Sequence, residues 1–539
     1  MRRATVAGFI LVLAGCTNPF ATDPRDLEPN VRTGDLRDIR PLALTPAPAP
    51  QTPDDPAAAV RARFEGLERV ELSIEDCRAA VLANNLDLRV ALVEPSLANE
   101  ALSEEEARFE SAFTLRTRYD RTDTPTSSTL DSAQRESFFI EPGVDIPLRT
   151  GGRARIALPA SRSETNNQFS TLNPAYTTDL SFSLSHELLR NAGRRAQTHG
   201  IRVASYGVGQ AEARARLEAI RQLAGVDRVY WRLYQARQEL DVRQRQLELA
   251  QALLDRARRL VDAGQAPEIE VVRSEAGVAN ALEAILLAQN IVLARQRELK
   301  ALVAIPGLEV WTRSEVIPSS PPDPMLYLVD PAALCEHAVA SRAEMIEMEL
   351  QLAIDESSID FARNQKLPLL TLDYAYQVNG LGSSLRRSGE VLRDNEFEDW
   401  SLGLTASVPI GNEAAAARAR RAILTRLQRL STREARAQAI RREVLGAADE
   451  IETGWQRILA ARQSVILNAR AFQAEENQFR AGLSTSTDVL DAATRLADAQ
   501  AQEIRAITDY QVAQVDLAFA TGTVLGSARV RWEPVDLDD

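Results

Sequence analysis

The stretch Trp400-Ser401-Leu402-Gly403-Leu404-Thr405-Ala406-Ser407-Val408 alternates strictly. Trp400, Leu402, Leu404, Ala406 and Val408 fall on one face, and Ser401, Gly403, Thr405 and Ser407 on the other. Successive side chains of a strand point to opposite faces, so this reads as a β-strand with one bare apolar face. The residues after it, from Gly411-Asn412-Glu413, begin a very long charged helix that offers that face neither a sheet nor a core. Its cover must come from elsewhere.

Three further segments share the pattern. Phe113, Leu115 and Tyr119 alternate with Thr114, Arg116, Arg118 and Asp120; Leu180, Phe182 and Leu184 with Ser181, Ser183 and Ser185; Leu370, Leu372, Tyr374 and Tyr376 with Thr371, Asp373 and Gln377. Each strand runs about nine to eleven residues, the length that crosses a bilayer as a tilted barrel strand. Tyr119, Tyr376 and Trp400 stand near one end, as an interfacial girdle requires. An open sheet edge cannot sit in lipid and a barrel needs at least about eight strands, so several chains must contribute. Phe113, Leu115, Tyr119, Leu180, Phe182, Leu184, Leu370, Leu372, Tyr374, Tyr376, Trp400, Leu402 and Leu404 are then the lipid-facing set. The competing arrangement, a water-soluble sandwich, is opposed by the length of the helices between the strands.

The chain is two copies of one plan. An offset of 257 superimposes Asn84-Asn85-Leu86-Asp87-Leu88 on Ser341-Arg342-Ala343-Glu344-Met345, Thr114-Leu115 on Thr371-Leu372, and Tyr119 on Tyr376. Further on the offset is 218, where Ala263-Gly264 meets Ala481-Gly482, so the first half carries 39 extra residues after its first strand. Apolar residues recur every seventh position: Val226, Leu233, Leu240, Leu247, Leu254 and Val261 in one half, and Ile423, Leu430, Ala437, Val444, Ile451, Ile458, Val465, Phe472 and Phe479 in the other. This coiled-coil period predicts helices over 198–262 and 413–479, each ~100 Å long at about 1.5 Å per residue. Shorter helices over 86–111 and 267–303, and over 343–366 and 484–522, are expected to stack in pairs along them. Small or polar residues at Ala236, Arg243, Ala250 and Ala257 suit a helix packed on two sides in a curved wall.

Composition narrows the function. A net charge of -13 over 539 residues, without a basic stripe, argues against nucleic acid as a partner. The three histidines and three cysteines lack ligand spacing, so no metal site or disulfide framework is expected, and Cys77 and Cys335 read as buried apolar side chains. No nucleophile elbow, phosphate loop or paired-carboxylate cleft appears, so the chain is not read as an enzyme and no cofactor is expected. Arg2 and Arg3 precede a short apolar run closed by Leu13-Ala14-Gly15-Cys16, which reads as a signal peptide over 1–15 and resembles a lipobox with Cys16 as the acylated residue. Residues 16–64, with Pro41, Pro46, Pro48 and Pro50, read as a tether. No apolar run long enough for a transmembrane helix follows.

Taken together, these features resemble the outer-membrane efflux protein family of TolC-like exit ducts, in its lipoprotein efflux-channel branch. The resemblance is carried by Leu188-Leu189-Arg190-Asn191-Ala192-Gly193 and Val408-Pro409-Ile410-Gly411-Asn412 entering the long helices, and by the second hairpin tip from Ala481 to Ala492. It implies a mainly α fold with β: a homotrimer whose long α-helical barrel of coiled-coil hairpins, in the periplasm, continues into a twelve-stranded transmembrane β-barrel built jointly by the subunits. The implied function is the outer-membrane exit duct of a tripartite efflux or type I secretion system. Its partners would be a periplasmic adaptor, an inner-membrane pump and outer-membrane lipid. Repeats are expected over 65–303 and 330–525, a linker over 304–329 and a tail over 526–539; Thr17 after Cys16 implies outer-membrane retention. A lipid-anchored periplasmic coiled-coil adaptor is the alternative, although an adaptor would carry one hairpin in a Gly-rich β-sandwich rather than two.

Three details remain open in the sequence. Asp488 and Asp491 align with the family's acidic constriction and read as carboxylate rings at the periplasmic mouth, or as ordinary first-turn acids. Ala263, Gly264, Gln265, Ala266 and Pro267, with Ala481, Gly482, Leu483, Ser484 and Thr485, form the two tips and are the expected adaptor contacts. Ser484 stands where better-known members carry a basic locking residue. The extra hairpin, about 136–160, either joins the barrel, giving eighteen strands per trimer, or lies outside it; Pro142, Pro147 and Pro159 favour the second arrangement.

Overall fold

The computed structural model describes residues 67–127 and 132–531; Cys16, the signal peptide and the tether lie outside the described residues. In chain order the elements are β1 (Arg69–Leu72), α1 (Ile74–Asn84), α2 (Leu86–Ala107), β2 (Ala112–Asp123), β3 (Gln134–Leu148), β4 (Gly152–Ala157), β5 (Ala160–Thr165), β6 (Ala175–Glu187), α3 (His199–Asp262) and α4 (Ile269–Val303). The second half follows with β7 (Glu315–Pro318), α5 (Pro331–Ser341), α6 (Ala343–Asn364), β8 (Leu369–Gly382), α7 (Leu385–Asp394), β9 (Glu398–Ser407), α8 (Glu413–Arg480) and α9 (Ser486–Thr521).

The duplication is visible in the caps. Ser73 opens α1 in a reciprocal capping box with Asp76, and Asp330, 257 positions later, caps α5 by accepting from the amides of Ala332 and Ala333. The helices expected from 86 and from 343 begin there, each preceded by a short helix, and the two are separated at equivalent buried residues, Asn85 and Arg342, both in extended backbone conformation. Strands β2 and β8 begin at Ala112 and Leu369, the same 257 apart. Both hairpin tips reverse through glycines in the left-handed region, Gly264 (φ 71) and Gly482 (φ 75). The amides of Gln265 and Leu483 reach back to the carbonyls of Leu260 and Gln478, closing each helix in the same way.

The long helices α3 and α8 contain 64 and 68 residues. Val226, Leu233, Leu240 and Leu247 are buried, and so are Ala236, Ala250 and Ala257 on the second seam, so α3 is packed on two sides. Helices α2 and α4 lie against one side of α3, and α6 and α9 against the other; α8 covers the far side of α6 and α9. The short helices meet end to end as expected. Asn85 Nδ2 donates to the Leu302 carbonyl (3.1 Å), and Ser341 Oγ donates to the Thr521 carbonyl (3.3 Å). The result is four helix columns side by side. By length and composition α4 could cross a membrane, with a hydropathy of 1.5 over its most apolar window, but Ala281, Ile285, Val292 and Leu299 bury one face of it in the core shared with α3.

The inter-repeat segment is less free than a linker. It supplies β7, which pairs in parallel with β1. Tyr230 Oη donates to the Leu72 carbonyl and accepts from the Ser320 amide (2.8 Å), and Tyr510 Oη donates to the Met325 carbonyl, so the segment is fastened to α3 and α9.

The strands form one antiparallel sheet in the order β2-β3-β4-β6-β8-β9, with β5 in line with β4 and pairing the same neighbours, β3 and β6. The extra hairpin therefore lies inside the sheet, between β2 and β6, which corrects the arrangement that its prolines favoured. The prolines fall where no ladder bond is needed. The Pro142 carbonyl accepts from Leu158, so its nitrogen points at the Leu158-Pro159 break between β4 and β5. Pro147 lies beyond Asp145, the last residue of β3 paired with β2.

Candidate functional site

All thirteen residues predicted to face lipid share one face. One row of cross-strand partners runs Phe113, Val144, Ile156, Phe182, Tyr376, Trp400, crossing the whole sheet. The next rows align Leu184 with Tyr374 and Leu402, and Leu372 with Leu404. Phe113, Trp400 and Leu404 are 71%, 69% and 64% exposed, so among the described residues nothing covers this face over most of its area. Contiguous apolar surface of this extent marks contact with lipid or protein.

The opposite face is polar. Arg155 bridges Glu141 and Asp145, Arg116 also reaches Glu141, Ser185 Oγ donates to Asp373 (2.7 Å), and Asn379 Nδ2 donates to Asp399 (2.6 Å). Arg155 and its two partners all come from the extra hairpin.

At the end of the sheet away from the long helices, α7 lies on the apolar face. Ser388 meets Thr178 hydroxyl to hydroxyl (2.8 Å), and a Cβ on Gly380 would come 2.2 Å from the Ser388 carbonyl oxygen. Only glycine admits that approach, and Gly382 serves α7 in the same way.

The outer columns present a second apolar surface. On α2, Leu86, Val90, Val93 and Leu97 recur at spacings of four, three and four and are exposed; on α8, Ile423, Leu427 and Leu430 do the same. Each is a heptad seam without a partner among the described residues. Because β2 follows α2 and β9 precedes α8, the edges of the sheet lie on the same two sides as these seams. The α2 stripe was missed in the sequence, although its spacing was there to be read.

At the opposite end, Ala263, Gly264, Gln265, Pro267, Ala481, Gly482, Leu483 and Thr485 of the tips are exposed and Ala266 and Ser484 half-buried, with no packing of Gly264 or Gly482 against other residues. Asp488 does not point freely from its helix: its carboxylate accepts from both the amide (2.9 Å) and the hydroxyl (2.7 Å) of Thr485, which hold it below the usual carboxylate range. Asp491 is exposed one turn later, in a groove with Arg243, Arg273 and Thr494. A contact not foreseen in the sequence ties the two tips. Ser486, buried at the start of α9, donates to Glu270 of α4, and Arg273 pairs with the same carboxylate (2.8 Å). The Ser486 hydrogen bond is the main cause that depresses the Glu270 pKa below 4.5. A depressed carboxylate stabilises the native state above its unfolded pKa and loses that contribution as pH falls through its folded value. Acidification through the carboxylate range is therefore expected to loosen the tips as Glu270 and Asp488 take up protons, and Glu270→Gln to reduce this response, leaving the Asp488 part, as read by amide exchange at the start of α9 across a pH series.

Residues 334–523 match the outer membrane efflux protein family. Over 198 residues, 36% of this chain, the sequence is 30% identical to outer membrane protein TolC of Vibrio cholerae, and the match spans 43% of that relative's length. Among solved structures, the CmeC outer membrane channel of Campylobacter jejuni aligns with a TM-score of 0.62 at 14% identity, over 84% of this chain and 85% of its own. The MtrE outer membrane channel of Neisseria gonorrhoeae aligns with a TM-score of 0.58 at 15% identity, over 84% and 89%. The second repeat is thus an outer membrane efflux protein domain, set in a chain that has the fold of outer-membrane efflux channels.

Proposed function

We propose that this chain is the outer-membrane exit duct of a tripartite efflux or type I secretion system, acting as a closed ring of three copies and passing substrate from a periplasmic adaptor and inner-membrane pump to the exterior. The observation that carries this is the uncovered apolar row from Phe113 to Trp400 on a sheet whose two edges stand above two unpartnered helix seams. A row of this kind is stable in hydrocarbon only if the sheet closes, and closure demands further copies. The duct needs no reaction chemistry. Imaging of the detergent-extracted, full-length protein should give a three-fold hollow cylinder; particles without one would sink the proposal.

Both tips, 263–267 and 481–485, are the surfaces offered to the adaptor. Asp488 and Asp491 of three copies would stand around the mouth, where converging carboxylates attract a cation more strongly than one exposed acid does. Replacing both with Asn is expected to lower cation preference in planar-bilayer recordings. Unchanged selectivity in a normally inserting channel would remove the gate and leave the thermodynamic role of Asp488 as a cap. Cys16 is proposed as the acylated residue: Cys16→Ser should lose fatty-acid labelling yet still assemble, because the barrel supplies most of the membrane affinity. Recovery of that variant as a soluble monomer would contradict this.

A further inference from the structure

We infer that the copies join β9 of one to β2 of the next in a barrel of eighteen strand positions, as wide as the helical wall below it, so that the sheet adds no narrowing to the duct. This rests on the three-copy duct proposed above. The argument is one of arc. Four helix columns about 9 Å apart span roughly 36 Å per copy. Six strand positions about 4.8 Å apart, tilted by about 40°, span roughly 38 Å along the wall. If β3, β4 and β5 stood outside the sheet, the remaining four positions would span only roughly 25 Å at that tilt and would need a steeper one to meet the same wall.

The edges fit a second copy of this chain. Among the described residues β2 and β9 each have one side unpaired, and hydrocarbon cannot satisfy those backbone groups. Phe113 and Leu115 on one edge and Leu402 and Leu404 on the other lie on the same face of the sheet, so a joint that keeps parity continues the apolar band without interruption. The inner face also needs the hairpin: Arg155, Glu141 and Asp145 stand on β3 and β4, and their ion pairs are satisfied within the sheet.

The test uses the full-length protein in detergent. Single-particle maps should show a three-fold cylinder with eighteen strand positions and a barrel about 36 Å between opposite backbones, against twelve positions and about 24 Å at the same tilt if the hairpin lies outside. Cysteines introduced one at a time along β2 and β9 should cross-link between copies. A three-fold cylinder with the narrower barrel, or β2 cysteines that cross-link to β6 within one chain, would overturn this inference and leave the duct standing. Absence of the cylinder would overturn both. Replacing residues 134–165 with a short turn should narrow any ring that still assembles; an unchanged width would also refute the eighteen-position barrel.

Discussion

Leu404→Arg is expected to destabilise the assembled protein by roughly 2–4 kcal/mol, whereas the neighbouring Thr405→Arg is tolerated. Leu404 pairs with Leu372 in the middle rows of the apolar face, with Leu402 and Ala406 on either side in the same strand. An arginine there must carry its charge into hydrocarbon or bend toward an interface, and the cost is greatest near the bilayer midplane. Thr405 pairs with Thr371 on the polar face, where Arg116, Arg155 and Asp373 already stand in an aqueous setting. Thermal unfolding of the detergent-extracted, full-length protein measures both variants. Equal damage from the two would mean that both faces are buried in protein, and the lipid assignment would fail.

Arg78→Ala is expected to cost about 3–5 kcal/mol, the range for removing one partner of a buried ion pair. Arg78 docks α1 on α3 through a bidentate bond to Asp227, with both contacts at 2.8 Å, and Asp227 is nearly inaccessible. Burial raises the Asp227 pKa even with the arginine in place, so removing Arg78 leaves a carboxylate with strong reason to take up a proton. A group with a raised folded pKa favours the native state at low pH and loses that contribution as pH rises through the folded value. The variant should therefore lose stability most at neutral pH, and Asp227→Asn in the same background should restore part of it. Denaturant unfolding of the four combinations at two pH values measures the coupling; no gain from the second substitution would show that the loss came from packing of the arginine stem instead.

The strand faces were legible because an apolar face and a polar face impose a strict period of two, and the long helices because their seams recur every seven residues. The position of the hairpin was not. Proline is penalised in a sheet for its missing amide, and that penalty disappears at Pro142 only because the facing strand breaks at Leu158-Pro159, a match between segments that no local pattern records. The β1–β7 pair escaped for a related reason: each strand has four residues, and their partners lie 246 positions apart. Asn85 and Arg342 were aligned with one another and the helices expected just after them, yet the short helices that end at these residues carried no separate signal. For the candidate gate, the sequence placed Asp488 and Asp491 on one face; only the side-chain geometry revealed that Asp488 is already committed to Thr485.

Each copy ends in two unlike margins, α2 with β2 on one side and α8 with β9 on the other, and a ring built from unlike margins has no spare joint. A copy spoiled at only one margin still adds to a growing ring through its sound one and then halts it. In the proposed ring of three, such a subunit poisons its neighbours: at equal mixing with intact chains, only about one ring in eight would contain no defective joint. The damage from a one-sided defect is thus set by the cube of the sound fraction, not by the fraction itself.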